Sequence, residues 1–158
     1  MPTWYIQIFP CGTTKRTKND FNTIEARTYE KSTIGIGFYG CIPIINNDSM
    51  TQLDFMEESK FTPRQKKYKT KVFEYFVNEM KIGDTVYLKK GKQILYQATI
   101  SSNYFYDDSD YNEDDSTHNI NSDNITNGWF WRHRRTISNI TRISDINTSV
   151  MRQTIYKR

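Results

Sequence analysis

The amino-acid sequence predicts a single α+β domain in which strand outweighs helix. Short runs rich in β-branched and aromatic residues recur along the chain, separated by glycine, proline and asparagine. The clearest helical periodicity belongs to one segment, residues 62–83. A length of 158 residues is typical of one domain, so we expect residues 1–158 to fold as a unit.

The first strand is predicted at "WYIQIF", residues 4–9, which Pro10 ends. Residues 23–44 contain strand-like stretches broken by three glycines. Glycines inside a strand pattern often mark a bulge or a close approach of backbone or ligand. The polar residues 46–60 are interpreted as loop.

The helix is predicted to begin at Thr62, a capping residue, with Pro63 in its first position, and to end at Gly83. Its apolar residues recur at helical spacing and form one stripe that faces the core. That stripe comprises Tyr68, Val72, Phe76 and Met80. Three basic residues lie on another side, namely Arg64, Lys67 and Lys71.

Residues 84–106 predict two strands joined by a turn at "KKGK". In the second strand the even positions are mostly apolar and are expected to face the core: Ile94, Tyr96, Ala98 and Ile100. The same parity places Tyr104 and Tyr106 on the core side, near the rim of a sheet or small barrel.

Residues 107–127 are acidic, rich in Asn and Ser and aperiodic, which predicts a mobile loop. "GWFWRHRRTISNI", residues 128–140, is interpreted as the next strand. Alternation would put Trp129, Trp131, His133 and Arg135 on the inner face. It would turn Arg132 and Arg134 outward. A last strand is expected in the C-terminal tail.

Charge favours a polyanionic partner. The net charge is +4, but residues 107–115 hold six acidic side chains, which leaves 22 basic against 12 acidic residues elsewhere, or +10. An ordinary solvated basic surface is the alternative. No apolar run approaches the roughly 20 residues of a membrane span. We expect no membrane association and, with only two distant cysteines, reduced thiols and an intracellular location, cytoplasmic or nuclear.

No catalytic or cofactor motif is present, so the sequence predicts neither an enzyme nor a bound cofactor or metal. The glycine-rich "GIGFYG" lacks the spacing of a dinucleotide-binding loop. The acids at 107–115 do not match the EF-hand pattern. What the chain does offer is aromatic residues interleaved with cations, a combination that stacks on bases and neutralises phosphates.

The order of motifs resembles the EVE-like group of the PUA superfamily, which also includes YTH domains. The resemblance rests on "FVNEMKIGDTV", residues 76–86, followed by "YFY" and "HRRTI", and it extends over nearly the whole chain. It implies a small, curved, mostly antiparallel β-barrel flanked by helices. It also implies a pocket that accepts one base, often a modified one, and no reaction. Such modules occur alone or joined to an effector domain, as in modification-dependent restriction systems.

Matched to this chain, Phe38 stands where relatives often carry tryptophan, and Asn139 stands where they often carry a second one. The resemblance and the composition together predict a non-catalytic module that binds DNA or RNA and captures a methylated base in an aromatic cage. The predicted base pocket comprises Trp4, Ser32, Thr33, Phe38, Tyr104, Tyr106, Trp129 and Trp131. The predicted phosphate contacts are Arg64, Lys67, Lys71, Arg132, His133, Arg134 and Arg135.

Two other functions stay open at this stage. The domain could be a protein-interaction or regulatory module whose tryptophans are core residues. It could also be a nucleic-acid hydrolase, with His133 or a carboxylate of the acidic loop as general base.

Overall fold

A computed structural model of the chain describes residues 2–7, 25–26, 28–36, 62–90, 93–107, 133–147 and 155–158. The described residues are mostly strand. The strands are β1 (Thr3–Gln7), β2 (Thr33–Ile36), β3 (Thr85–Lys90), β4 (Gln93–Ile100), β5 (Phe105–Tyr106), β6 (His133–Asn147) and β7 (Ile155–Lys157). Helix α1 spans Pro63–Glu74 and continues as a wider π-helical turn over Tyr75–Glu79.

The strands form one sheet in the order β2-β6-β4-β3-β1-β7, with β5 also paired to β6. Only the β1–β3 pairing is parallel among these strands. The sheet curls into a half-barrel, so the predicted small curved sheet with helices is confirmed at this level.

Strand β6 connects β2 and β5 to the rest of the curled sheet. Its first four residues pair with β2, and the remainder pairs with β4. The register against β4 shifts between Gln97 and Thr99, opposite the segment that contains Asn139, whose φ is 51°. An extra residue in one strand raises the local twist. Asn139 therefore lies exposed at a bulge, in a backbone conformation that asparagine tolerates better than tryptophan.

The concave face is filled by apolar side chains from the sheet and α1. Fully buried members include Trp4, Ile6, Phe73, Phe76 and Leu88. The predicted even parity of β4 is confirmed, because Ile94, Ala98 and Ile100 are buried and Tyr96 is half-buried. Leu95 is also buried, although strand alternation predicted an exposed side chain there. The pairing of β3 with β4 skips Leu95 at a bulge, which interrupts the alternation.

Three sequence-based boundaries need correction. Residues 25–26 and 28–31 are helical where strand-like stretches were expected. The predicted helix over 62–83 ends earlier: Met80 is extended and donates to Tyr75 O at 2.9 Å, and Gly83 lies in a turn with φ 95°. Strand β6 runs to Asn147, seven residues past its predicted end at 140.

The predicted acidic loop lies almost entirely outside the described residues, which resume at His133. Within the described part of the chain, no helix has both the length and the apolar character needed to cross a bilayer.

Candidate functional site

Three strand ends lie side by side at one edge of the sheet. Ile36, the last residue of β2, pairs with His133, the first residue of β6, and His133 also pairs with Tyr106, the last residue of β5. The chain beyond Ile36 leads to Phe38, and the chain before His133 contains Trp131 and Trp129. Sheet pairing therefore brings together the described strand ends that precede or follow, in sequence, three of the predicted cage residues.

An aromatic cluster is built at this edge from Tyr104, Tyr106, His133 and Phe73. The Tyr104 hydroxyl lies 2.9 Å from Nδ1 of His133, and their rings are stacked with centroids 6.0 Å apart. Tyr106 and Phe73 meet the imidazole edge-on, at 5.3 and 4.8 Å. Edge-to-face and offset contacts of this kind fix ring orientation.

The two tyrosines of the aromatic cluster are half-buried, whereas His133 is only 1% exposed. The structure thus supports the predicted placement of Tyr104 and Tyr106 at a rim. It does not support the predicted phosphate contact by His133, because the imidazole lies beneath the tyrosine rings rather than at the surface.

Arg134 is also buried, contrary to the expectation that it faces solvent. Its side chain is 5% exposed, and Nη1 forms an ion pair with Asp107 Oδ2 at 3.2 Å. The prediction was wrong because the outward-facing guanidinium is covered by a carboxylate from the segment that directly follows β5. Arg134 instead ties β6 to the first carboxylate of the acidic segment.

Arg135 has a structural role in place of the predicted phosphate contact. Its guanidinium donates from Nε to Phe76 O at 2.6 Å, from Nη2 to Val77 O at 3.0 Å and from Nη1 to Ser102 O at 3.0 Å. Burial lowers the pKa of this group to about 10, although the nearby Asp84 carboxylate opposes the shift. The cation therefore satisfies carbonyls of the π-helical turn that have no partner further along the helix.

Trp4 is a core residue rather than a wall of an open cage. It is fully buried, and its indole Nε1 donates to Asp84 Oδ2 at 2.8 Å. The same carboxylate oxygen accepts from the Lys81 amide at 3.0 Å. The "IGD" motif of the sequence thus fixes the turn after the π-helical segment to β1.

Ser32 and Thr33 lie away from the aromatic cluster. Thr33 pairs with Thr136, three residues along β6 from His133, which corresponds to about 10 Å. Ser32 has φ 46°, and its carbonyl accepts from the Ile137 amide at 2.8 Å. The Thr33 hydroxyl donates to Lys31 O at 2.8 Å. Both residues therefore start β2 and are not brought to the strand ends.

The predicted basic residues of α1 are exposed, as expected: Arg64, Lys67 and Lys71. Phe38, Trp129, Trp131 and Arg132 fall outside the described residues, and their predicted roles stay predictions.

A second feature was not predicted from the sequence. A pocket opens between α1 and β7, lined by Tyr68, Lys71, Val72, Tyr75, Ile155, Tyr156 and Lys157. Tyr68 and Val72, four residues apart, were a signal for one wall, but they were interpreted only as part of the core-facing stripe, and Tyr75 was not singled out. The other wall comes from β7, which no local pattern places beside α1.

No group of three or more His, Cys, Asp or Glu side chains suited to a metal ion occurs among the residues that the structure describes. A family profile described as a domain of unknown function, DUF8426, matches residues 14–157. The chain belongs to the DUF8426 family. No curated protein matches its sequence. The DUF8426 match covers β2 to β7, including the aromatic cluster and every lining residue of the pocket between α1 and β7.

Proposed function

We propose that this DUF8426 protein is a non-catalytic nucleic-acid-binding module of the PUA-like, EVE/YTH type, which captures one methylated base in an aromatic cage. The observation that carries the proposal is the convergence of β2, β5 and β6 at one edge, where Tyr104 and Tyr106 pack around His133. The curled sheet and the order of sequence motifs support the same assignment.

The cage would combine the described tyrosines with residues carried by the adjoining segments. Tyr104 is held by its bond to His133, and it packs edge-on against Phe76 at 6.5 Å, so its ring is oriented before a ligand arrives. A base stacked on an aromatic side chain gains about 1–3 kcal/mol. Phe38, Trp129 and Trp131 are the proposed remaining walls.

Selectivity for a methylated base follows from filling the cage. Burying one methyl group contributes about 0.8 kcal/mol, or roughly fourfold in affinity. An unmodified base leaves that volume unfilled. Extruding a base from a duplex also costs a few kcal/mol, so single strands should bind more tightly than duplexes.

Phosphate binding is assigned to Arg64, Lys67 and Lys71 on α1, together with Arg132. Arg134 and Arg135 are left out because their guanidinium groups are buried and bonded within the protein. Exposed lysine and arginine release counterions from the nucleic acid, so affinity should fall as salt rises.

The test is a panel of short single- and double-stranded DNA and RNA, each with or without one methylated adenine or cytosine. Fluorescence anisotropy at two salt concentrations would give the dissociation constants. We expect one methylated ligand to bind at least fourfold more tightly than its unmodified counterpart. No binding to any ligand at low salt would overturn the proposal.

Tyr106→Ala tests the cage directly, and Tyr29→Ala is a matched control because Tyr29 is an exposed tyrosine that packs against Tyr96 and not against the aromatic cluster. Loss of Tyr106 should weaken the methylated ligand more than the unmodified one, while the control should change neither. Equal weakening of both ligands by Tyr106→Ala would argue against a cage.

A further inference from the structure

Strand β7 lies at one margin of the sheet. It comes last in the strand order β2-β6-β4-β3-β1-β7, and among the described residues only β1 pairs with it. An edge strand presents a row of N–H and C=O groups that can pair with another chain. The outer edge of β7 is therefore a candidate surface for binding an extended peptide.

The hydrogen bonds between β7 and β1 determine which main-chain groups point outward. Thr3 and Arg158 exchange two main-chain bonds, with N–O distances of 3.1 and 2.9 Å. Residues that bond toward the partner strand alternate along an antiparallel pair, so Tyr156 also bonds toward β1. The N–H and C=O groups of Ile155 and Lys157 therefore point away from β1, toward the open edge.

The pocket between α1 and β7 lies beside this edge, because β7 supplies one of its walls. Its volume of about 280 Å³ is close to the lower end of small-molecule pockets, about 300 Å³, and so suits one large side chain. The lining is mostly apolar and includes Val72, Tyr75 and Ile155. Tyr75 is held from behind by Trp4, at 5.4 Å between ring centroids, so this wall is formed before a ligand arrives.

The side chains of β7 alternate between the two faces of the sheet. Tyr156 stacks on Tyr5 at 4.5 Å, on the face turned away from α1, whereas Ile155 and Lys157 face α1. Tyr156 nevertheless borders the pocket, which indicates that the pocket reaches the main chain of β7. A peptide residue opposite Ile155 could thus bond to β7 through its main chain and place its side chain in the pocket.

The charge beside the pocket is positive. Lys71 and Lys157 line it, and none of its described lining residues is acidic. Lys157 forms an exposed ion pair with Glu79 at 3.2 Å. Its ammonium has three donors, so it can bind a second carboxylate and still keep Glu79. Opposite charges on directly opposed residues of neighbouring strands stabilise the pairing, which favours an acidic peptide residue opposite Lys157.

We propose that the edge of β7 binds an extended peptide segment of a partner protein, with one apolar side chain in the pocket and an acidic residue two positions before it. The segment adds antiparallel to β7, the more stable arrangement, so the acidic residue lies opposite Lys157 and the apolar residue opposite Ile155. In this mode of recognition main-chain bonds supply affinity and the pocket supplies specificity. The surface goes beyond the base-reading cage and does not depend on it.

The probe is a capped peptide, Thr-Thr-Glu-Thr-Phe-Thr-Thr, titrated into the full chain by calorimetry and followed by amide NMR shifts. It should bind saturably and shift resonances of α1 and β7. Alanine in place of the phenylalanine should weaken binding by about tenfold or more, because the pocket is left unfilled. Lysine in place of the glutamate should also weaken it. No shift of β7 resonances at about 1 mM peptide would overturn the proposal.

Methylation of single peptide nitrogens separates strand addition from simple burial of the apolar side chain. The amide of the peptide phenylalanine should donate to Ile155 O, so methylating that nitrogen should weaken binding by about fivefold or more. The threonine before it directs its amide away from β7 and provides the matched control, whose methylation should weaken binding much less. Equal effects at the two positions would refute strand addition.

Lys157→Pro tests the same edge from the side of the protein. Proline removes an N–H that points outward and leaves the bonds to β1 intact, since Tyr156 and Arg158 make them. Lys157→Ala is the control for loss of the ammonium. Lys157→Pro should bind the peptide about fivefold more weakly than Lys157→Ala does. Equal affinity of the two variants would place the peptide elsewhere and refute the site.

Other occupants of the edge give different results. A wild-type dimer in sedimentation that Lys157→Pro converts to monomer would assign the edge to a second copy of the chain and overturn the peptide partner. Displacement of the peptide by an unmodified oligonucleotide, with both methylated peptides bound equally, would assign the pocket to nucleic acid. Lys157→Pro should leave the preference for a methylated base unchanged, and Tyr106→Ala should leave peptide affinity unchanged. Failure of one proposal is thus distinguishable from failure of the other.

Discussion

Arg135 provides the sharpest test of how this fold is held together. The change is Arg135→Met, which keeps much of the side-chain length and removes the guanidinium. Three carbonyl oxygens lose their donor, those of Phe76, Val77 and Ser102. The stack of the guanidinium over the Phe76 ring, at 5.7 Å, is lost as well.

The expected loss of unfolding free energy follows from two opposing effects. Each carbonyl left buried without a donor costs about 1–3 kcal/mol, although water or local relaxation can satisfy some of them. Removing a buried charge recovers part of that, since Arg135 is only 1% exposed. Three such carbonyls, less the desolvation cost recovered when the charge is removed, give an expected net loss of about 3–5 kcal/mol.

Urea unfolding followed by circular dichroism would measure this loss at pH 7. Arg135→Lys should fall between wild type and Arg135→Met, because an ammonium group cannot span three carbonyls as the planar guanidinium does. Arg64→Met is the matched control, since Arg64 is exposed on α1, and should stay within about 0.5 kcal/mol. A loss below about 1 kcal/mol for Arg135→Met, coupled to weaker nucleic-acid binding, would refute the structural role and favour a phosphate contact.

Three further predictions concern the same region and the sheet behind it. Asp84→Ala leaves the Trp4 indole and the Lys81 amide without an acceptor. It should therefore lower the unfolding free energy, measured in the same assay, by about 2–4 kcal/mol. A loss below about 1 kcal/mol would show that water replaces the carboxylate. Gly83→Ala should cost about 1–2 kcal/mol through backbone strain alone, because φ is 95° and no atom lies within 4 Å of the added methyl; a stability equal to wild type would refute the strain. Burial lowers the pKa of Lys89 to about 8 from 10.5. Between pH 8 and pH 10.5 the unfolded chain therefore holds a proton at Lys89 that the folded protein has released. The free energy of unfolding consequently rises with pH over this range. Wild type should therefore gain about 2 kcal/mol relative to Lys89→Met over that range, and a difference that stays constant with pH would contradict the shift.

Much of the sheet could be predicted because apolar and polar residues alternate along its strands. In β4, alternation identified the buried residues Ile94, Ala98 and Ile100. The exception was Leu95, which is buried at a bulge set by pairing with β3. Such a register shift depends on a partner strand, so no pattern within β4 reveals it.

The helical residues 25–26 and 28–31 show tertiary contacts prevailing over a weak local signal. The Glu25 carboxylate accepts from the Tyr96 hydroxyl at 2.6 Å and from Arg142 at 3.0 Å. Both partners lie on strands more than 70 residues away in sequence. The sequence of this segment alone did not favour the helix over a strand.

Side-chain positions in the candidate site were predicted best where they depend on the alternation of residues along a strand. They were predicted worst where a charged side chain was assumed to be exposed. Tyr104 and Tyr106 lie at the strand ends, as parity indicated. Arg134 is buried against Asp107 and Arg135 against the π-helical turn, and both of these partners come from distant segments of the chain. Local sequence cannot distinguish an arginine that binds phosphate from one that satisfies buried carbonyls.

The central claim is that the strand ends around Tyr106 select a methylated base. The most direct measurement is the ratio of dissociation constants for a single strand with and without one methylated base, at one salt concentration, in wild type and in Tyr106→Ala. The account predicts a ratio of at least about fourfold in wild type that falls toward one in the variant. A wild-type ratio of one for every methylated base, or a ratio that Tyr106→Ala leaves unchanged, would contradict it.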